Sequence, residues 1–309
     1  MKTIICILLA VAAHCSLTIL TASAHPGSGI VVDPHGQVFF QDSAARTIWK
    51  IDTQGKVSAY SDKIGGHWMA LDTKGWFARS DLKLVERITP WGVLPALIVA
   101  DGGAPIAVNT NGHLYYGVGV SSAGKISVGM MKLSPDGKQE PFAPDFTRTI
   151  ENLGITGMAS GPDGILYVSC LTGIIKITTD GKFSTVANPV VVKDCDPDGD
   201  STPFLRGLDV DSRGALYAAA CGCRCVVKIT ADGKVETVLK AERPWSPTGV
   251  AVHRDDVYVL EYTNANGHFS EGWLPRVRKL GRDGKMTTLA IISKEQQDAQ
   301  PNRQALPPK

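Results

Sequence analysis

Cysteine and aspartate, the residues best suited to binding metals or forming cross-links, are concentrated between positions 170 and 225 of this 309-residue chain. Cys221, Cys223 and Cys225 alternate with single residues, so three sulfurs could meet on a soft metal ion. Disulfide bonds are the alternative if the chain is exported. With Cys170 and Cys195 included, five thiols allow two bonds and leave one thiol over.

A short acidic segment offers a different chemistry. Its four carboxylates stand at alternate positions with one glycine turn at Gly199, a pattern that resembles the start of a calcium-binding loop. Position twelve of that pattern is Leu205, which supplies no oxygen, and an acidic turn held by its own side chains would look the same. The sequence therefore predicts either a structural calcium ion or a metal-free turn at Asp194, Asp196, Asp198 and Asp200.

Other residues are suited to binding or converting a small molecule. Arg206 carries a planar guanidinium that fits a carboxylate or phosphate, and His67 could accept a proton near neutral pH. Glu261 could assist His67 or hold a metal ion. Trp245 and Trp273 combine an apolar ring with a polar edge, which favours ligand contact. These residues can form one site only if the fold brings them together.

The fold is indicated by a repeat that occurs six times between positions 29 and 292, and we call the repeats units one to six. Each unit contains an apolar strand, a glycine turn, a strand with an aromatic residue, a third strand that in most units contains lysine, and a second glycine turn. The second turn reads TQGK at 53–56, TPWG at 89–92, SPDGK at 134–138, TTDGK at 178–182, TADGK at 230–234 and GRDGK at 281–285.

Units of this size cannot bury a core alone and must stack on their neighbours. The pattern predicts an all-β fold, a six-bladed β-propeller of four-stranded antiparallel blades. A parallel β-helix has a similar period and is the alternative. No spare strand precedes unit one, so closure of the ring should depend on packing between units one and six.

A propeller would gather the scattered candidate residues at one end of its central channel, which we call the mouth. The residue before each first strand should point there, and Glu261, Trp245 and Trp273 belong to the same face. Thr156 and Thr248 thereby join Arg206 as candidate ligand-binding residues. The ring consists of Ser28, His67, Ala104, Thr156, Arg206 and Thr248.

The ends of the chain differ from the repeat. Residues 1–24 have a basic start, an apolar stretch and a small-residue cleavage site, which predicts a signal peptide and a secreted or periplasmic protein. Residues 25–292 would be the propeller, and the polar residues 293–309 a disordered tail. Loss of Lys2 lowers the formal charge from +2 to +1, and this near-neutral balance predicts no nucleic-acid partner. We also expect a monomer and no membrane insertion after signal cleavage.

Two segments of unit five, GLDVDSRGALYAA at 207–219 and VVKITADGKV at 226–235, resemble an NHL repeat. The repeat region as a whole is similar to the propeller superfamily that includes senescence-marker proteins and gluconolactonases. The resemblance implies a lactonase, a lyase or a binding module. A metal-dependent lactonase would have Glu, Asn and Asp where this chain has Ser28, Thr156 and Arg206, whereas His67 and Glu261 resemble streptogramin-lyase-like propellers at two positions.

These observations lead to two functional hypotheses and one structural prediction. The leading hypothesis is an exported propeller that binds a small anionic molecule or peptide end at the mouth through Arg206 and His67. The alternative is a hydrolase or lyase with His67 as base. Because units four and five are neighbours, we also predict that Cys195 forms a disulfide with Cys221, Cys223 or Cys225.

Overall fold

The computed structural model describes residues 26–61, 66–77, 86–87, 96–100, 105–122, 125–149, 154–193, 195, 202–263, 265 and 272–300. The predicted signal peptide and the acidic segment 196–200 lie outside these ranges. Within them, no helix combines the length and the apolar character needed to cross a bilayer.

The chain is a β-propeller with five four-stranded antiparallel blades, formed by units one, three, four, five and six. Strands follow chain order within each blade, from the inner strand to the outer one. The bounds are β1 Ile30–Val32, β2 Val38–Asp42, β3 Thr47–Ile51 and β4 Val57–Ser61 in unit one; β8 Ile106–Val108, β9 Leu114–Ser122, β10 Lys125–Leu133 and β11 Gln139–Pro141 in unit three; β12 Gly157–Ser160, β13 Leu166–Ser169, β14 Ile174–Ile177 and β15 Phe183–Ala187 in unit four; β16 Leu205–Val210, β17 Leu216–Ala220, β18 Cys225–Ile229 and β19 Val235–Lys240 in unit five; and β20 Trp245–His253, β21 Asp256–Thr263, β22 Pro275–Leu280 and β23 Met286–Ile291 in unit six.

Unit two departs from the prediction of a four-stranded blade. Its described strands, β5 Trp68–Asp72, β6 Glu86–Arg87 and β7 Ala96–Ala100, form a three-stranded sheet in the order β5-β7-β6. The repeat predicts a second strand after the first glycine turn, but the buried carboxylate of Asp72 accepts a hydrogen bond from Phe77 N at 2.9 Å in addition to the turn bond from Trp76 N at 3.0 Å. The Phe77 N–H group is thus bound within the turn, and the described residues form five four-stranded blades instead of the predicted six.

The inner strands form a closed ring. Contacts run from β1 through β5, β8, β12, β16 and β20, and β20 contacts β1 again. The strands surround a channel of about 220 Å³. This closure, together with the antiparallel pairing of every strand pair in the described residues, excludes the parallel β-helix. Units one and six meet through a shared core that contains Phe40, Trp49, Tyr262 and Val277, as expected from the lack of a spare strand.

The glycine turns form because an Asp or Asn at the end of the inner strand binds the turn backbone. In unit one, Asp33 Oδ1 accepts hydrogen bonds from His35 N at 3.0 Å and Gln37 N at 2.8 Å. Gly36 then takes a positive φ of 89°, a conformation that disfavours other residues. Asn109 and Asp211 make the same pair of hydrogen bonds in units three and five.

Two short helices flank the blades, α1 Pro144–Thr149 and α2 Lys294–Asp298. Helix α2 corrects the prediction of a disordered tail from residue 293. Ser293 and Gln296 form a capping box at its start. The buried Gln297 donates through Nε2 to both Asp42 oxygens, at 3.0 and 2.9 Å, and to Trp273 O at 2.8 Å. The tail thus begins as a clasp across units one and six.

We expect Gln297→Ala to lower the free energy of unfolding by about 1–3 kcal/mol, because the buried Asp42 carboxylate loses the amide donor that contacts both of its oxygens. Urea denaturation measures the change. Gln300→Ala is the control, since the Gln300 side chain donates its hydrogen bond to the neighbouring Gln296 O and not to another unit. Equal stability of the two variants would show that Gln297 does not stabilise the contact between units one and six.

Candidate functional site

The described ring positions lie together at the mouth, linked by hydrogen bonds. Ser28 N donates to His67 O at 2.8 Å. Thr156 Oγ1 donates to Ser169 O at 3.1 Å, and Ser169 Oγ donates to Arg206 O at 3.0 Å. Thr248 Oγ1 donates to Gly27 O at 2.8 Å. Ala104 is outside the described residues. Only His67 and Thr156 keep partly exposed side chains; the others are buried.

The guanidinium group of Arg206 is not exposed at the mouth surface. Its side chain is buried, and Nη2 donates to Pro26 O at 2.9 Å. Burial lowers the pKa of Arg206, an effect opposed by the neighbouring Cys221 and Tyr262. Together with Thr248, Arg206 fastens the segment before β1 across the mouth. The predicted role as an open carboxylate fork is therefore corrected to a role in closing the ring.

Glu261 is also committed to other residues. It is fully buried, and its Oε2 accepts hydrogen bonds from Arg276 Nε at 2.6 Å and Arg278 Nε at 2.8 Å. Arg278 Nη2 binds the other oxygen. The Glu261 carboxylate is therefore paired with two guanidinium groups. No hydrogen bond in the described residues joins Glu261 to His67.

The two candidate tryptophans differ in their surroundings. Trp273 is buried in the core between units one and six, which removes it from the mouth surface. Trp245 is partly exposed, and the Arg276 guanidinium carbon lies 4.2 Å from the centre of its ring. Arg224 Nη1 donates to Trp245 O at 3.1 Å and fixes the start of β20. Trp245 therefore keeps part of its surface in contact with solvent.

The structure shows a group of exposed apolar residues at the mouth that the sequence did not predict. Leu171, Val191 and Phe204, which we call the apolar rim, are three of the five exposed large hydrophobic residues in the described chain. Leu205 N donates to Leu171 O at 2.9 Å and joins units four and five here. Phe204 is 42% exposed with a φ of 43°, a strained conformation for a bulky residue. A loop phenylalanine carries no sequence signal for this.

The backbone around Phe204 explains how that conformation is held. Cys221 N donates to Phe204 O at 3.1 Å, and Gly222 N donates to Pro203 O at 3.0 Å. These donors belong to a 3₁₀ turn, Cys221–Cys223, that is tied to Cys195 by a disulfide with Cys223. The Arg206 guanidinium lies 6.0 Å from the Phe204 ring centre. These contacts fix the backbone at Phe204.

The prediction that Cys195 pairs with one of three cysteines is confirmed by the Cys195–Cys223 bond, whose Cα atoms are 4.8 Å apart. The described residues contain no second disulfide: Cys170, Cys221 and Cys225 are buried and form no S–S bond. Burial raises the pKa of Cys170 and Cys225 to about 11, so neither is a reactive thiolate at neutral pH. No group of three or more metal-ligating side chains occurs in the part of the chain that the structure describes.

The channel itself holds one carboxylate, that of Asp209, among its lining residues. Burial raises its pKa to about 6, while hydrogen bonds from Val252 N at 2.6 Å and Val210 N at 2.8 Å act in the opposite direction. Comparison of the six inner strands would have revealed it, because the other units have valine or alanine at that position. Asp209 joins the inner strands of units five and six.

Comparison with known proteins shows similarity of fold. A luciferin-regenerating enzyme is 17% identical, with a TM-score of 0.54 over 83% of this chain and 93% of its own. A gluconolactonase from Xanthomonas campestris is 16% identical, with a TM-score of 0.53 over 76% and 83%. The calcium-binding regucalcin of Agrobacterium tumefaciens is 14% identical, with a TM-score of 0.51 over 77% and 83%. No family model matches the chain, and no curated protein matches its sequence. At these identities the likeness concerns the fold alone.

Proposed function

We propose that this protein is an exported binding module whose mouth face takes a small organic anion or a peptide carboxyl end. The observation that supports this is Phe204, an exposed aromatic side chain kept in a strained conformation by a disulfide-tied turn. Strain of this kind persists where the surrounding structure enforces it, and it clusters at ligand sites. A rigid aromatic surface binds with little loss of side-chain freedom.

The alternative, a hydrolase or lyase with His67 as base, has the fold of the lactonase and regucalcin structures in its favour. The mechanism also needs Glu261, whose negative charge is paired with Arg276 and Arg278. The described ring positions offer hydroxyl, imidazole and guanidinium groups, and none of these is a carboxylate for a hard cation. Binding therefore has the stronger support. Hydrolysis of a lactone by the full chain, lost in His67→Ala, would favour the enzyme.

We expect Phe204→Ala to weaken binding of an aromatic carboxylate such as benzoate by about tenfold, because it removes the apolar contact of one ring. Isothermal titration calorimetry on the mature chain measures the change. Phe183→Ala is the matched control, since Phe183 is 38% exposed on β15, the outer strand of unit four. Equal loss in both variants, or no binding by the parent chain, would refute the proposal.

Three finer predictions remain proposals. We take the three-stranded sheet of unit two as the sixth blade, because β5 occupies its place in the ring of inner strands. The disulfide fits an oxidising compartment and hence secretion or periplasmic export. A calcium ion at Asp194, Asp196, Asp198 and Asp200 stays a prediction from the sequence, because these residues lie outside the described ranges.

A further inference from the structure

We infer that Arg276 and Arg278 form a carboxylate-binding site on the mouth face between units five and six, and that Glu242 occupies this site as an internal ligand which a bound carboxylate displaces. The inference rests on the proposed function and names the cationic groups that it uses. Arg206, the arginine that the sequence suggested, is buried against Pro26 O.

The geometry of Glu242 is that of a bound carboxylate. Its Oε1 lies 2.5 Å from Arg276 Nη1 and its Oε2 lies 3.7 Å from Arg278 Nη1. One carboxylate thus faces both guanidinium groups, an arrangement that carboxylate ligands adopt with arginine. Glu242 belongs to the segment that leads from β19 to β20, so it reaches the arginines from unit five.

The two carboxylates on these arginines differ in burial. Glu261 is fully buried beneath them, whereas the Glu242 side chain is 62% exposed. Solvent competes with the arginines for the exposed Glu242 carboxylate, which weakens its ion pairs. Glu242 can therefore leave at small cost, whereas Glu261 cannot. The arginines lower the pKa of Glu242, mainly through the Arg276 hydrogen bond, so it remains a charged competitor near neutral pH.

Charge and hydrogen bonding favour an anion once Glu242 has left. Arg276, Arg278 and Glu261 together carry one net positive charge, and the side chains of both arginines are nine-tenths buried. Arg276 Nη2 is buried without a hydrogen-bond partner, an unfavourable state for a charged donor. Trp245, stacked on the same guanidinium, offers an apolar surface beside the charge. The site fits a carboxylate attached to an apolar group.

Substitution of Glu242 by glutamine tests the inference. Glu242→Gln removes the competing charge and keeps the shape, so we expect benzoate to bind at least about tenfold more tightly, with no gain for neutral benzamide. Binding is measured by calorimetry, and the indole N–H signal of Trp245 should shift with benzoate. Glu140→Gln is the control, because Glu140 also sits in surface ion pairs, with Lys132 and Lys138.

The outcomes separate this inference from the proposed function. Unchanged benzoate affinity in Glu242→Gln, or the same gain in Glu140→Gln, would overturn the inference even if the parent chain binds benzoate through Phe204. Binding by Glu242→Gln that does not depend on Phe204 would support the inference and count against the apolar rim. Glu242→Ala, checked for an unchanged melting temperature, must show the same gain as Glu242→Gln; a loss of affinity would also overturn the inference.

Discussion

Glu261→Gln is expected to lower the free energy of unfolding by about 3–5 kcal/mol, because it leaves two buried arginines without their buried counter-charge. Glu261 binds Arg276 and Arg278 through three short hydrogen bonds, and none of the three side chains has substantial solvent contact. Denaturant unfolding at pH 7 measures the change. A catalytic Glu261 would instead lose activity in this variant with little change in stability.

The matched variant is Glu242→Gln, which removes a carboxylate from the same two arginines at an exposed position. We expect it to cost less than about 1 kcal/mol. The contrast between the two variants isolates burial, since the charge removed and the partners are the same. A double-mutant cycle of Glu261→Gln with Arg278→Met should show strong coupling. Similar small losses in both variants would contradict the structural role of Glu261.

The architecture followed from the sequence because local chemistry repeats in each unit. Alternating apolar strands and Asp-Gly turns specify hairpins by hydrogen bonds that close within a few residues, as Asp33 and Asp211 show. Unit two departs from the pattern for an equally local reason, because Asp72 binds the N–H group of Phe77 in addition to the usual turn donors. A strand pattern does not reveal which backbone donors an upstream carboxylate will take.

Side-chain roles were harder to predict, since they depend on partners far along the chain. Arg206 looked like an open fork, yet its partner is Pro26 O, 180 residues away in sequence. Glu261 looked like a base, yet arginines on the next strand neutralise it. Gln297, in a segment expected to be disordered, binds Asp42 across 255 residues. The sequence places such residues on a face of the fold, and only the packed structure shows what they contact.

The Cys195–Cys223 bond connects the sequence prediction to the mouth surface. It spans 28 residues, and closing a loop of this length in the unfolded chain is worth about 2–4 kcal/mol. We expect Cys195→Ala to destabilise the protein by that amount, measured by thermal and denaturant unfolding. Cys195 is the better position to change because it is only partly buried, whereas Cys223 lies in the core of unit five.

Reduction of the parent chain provides the control for that prediction. Dithiothreitol should destabilise the parent protein to the level of Cys195→Ala and should leave the variant unchanged. Loss of the disulfide, by reduction or by Cys195→Ala, should also weaken benzoate binding. The turn Cys221–Cys223 holds Phe204 through the hydrogen bond from Cys221 N to Phe204 O. If non-reducing peptide maps place Cys195 with Cys221 or Cys225, or if the variant unfolds like the oxidised parent, the disulfide does not support the mouth in this way.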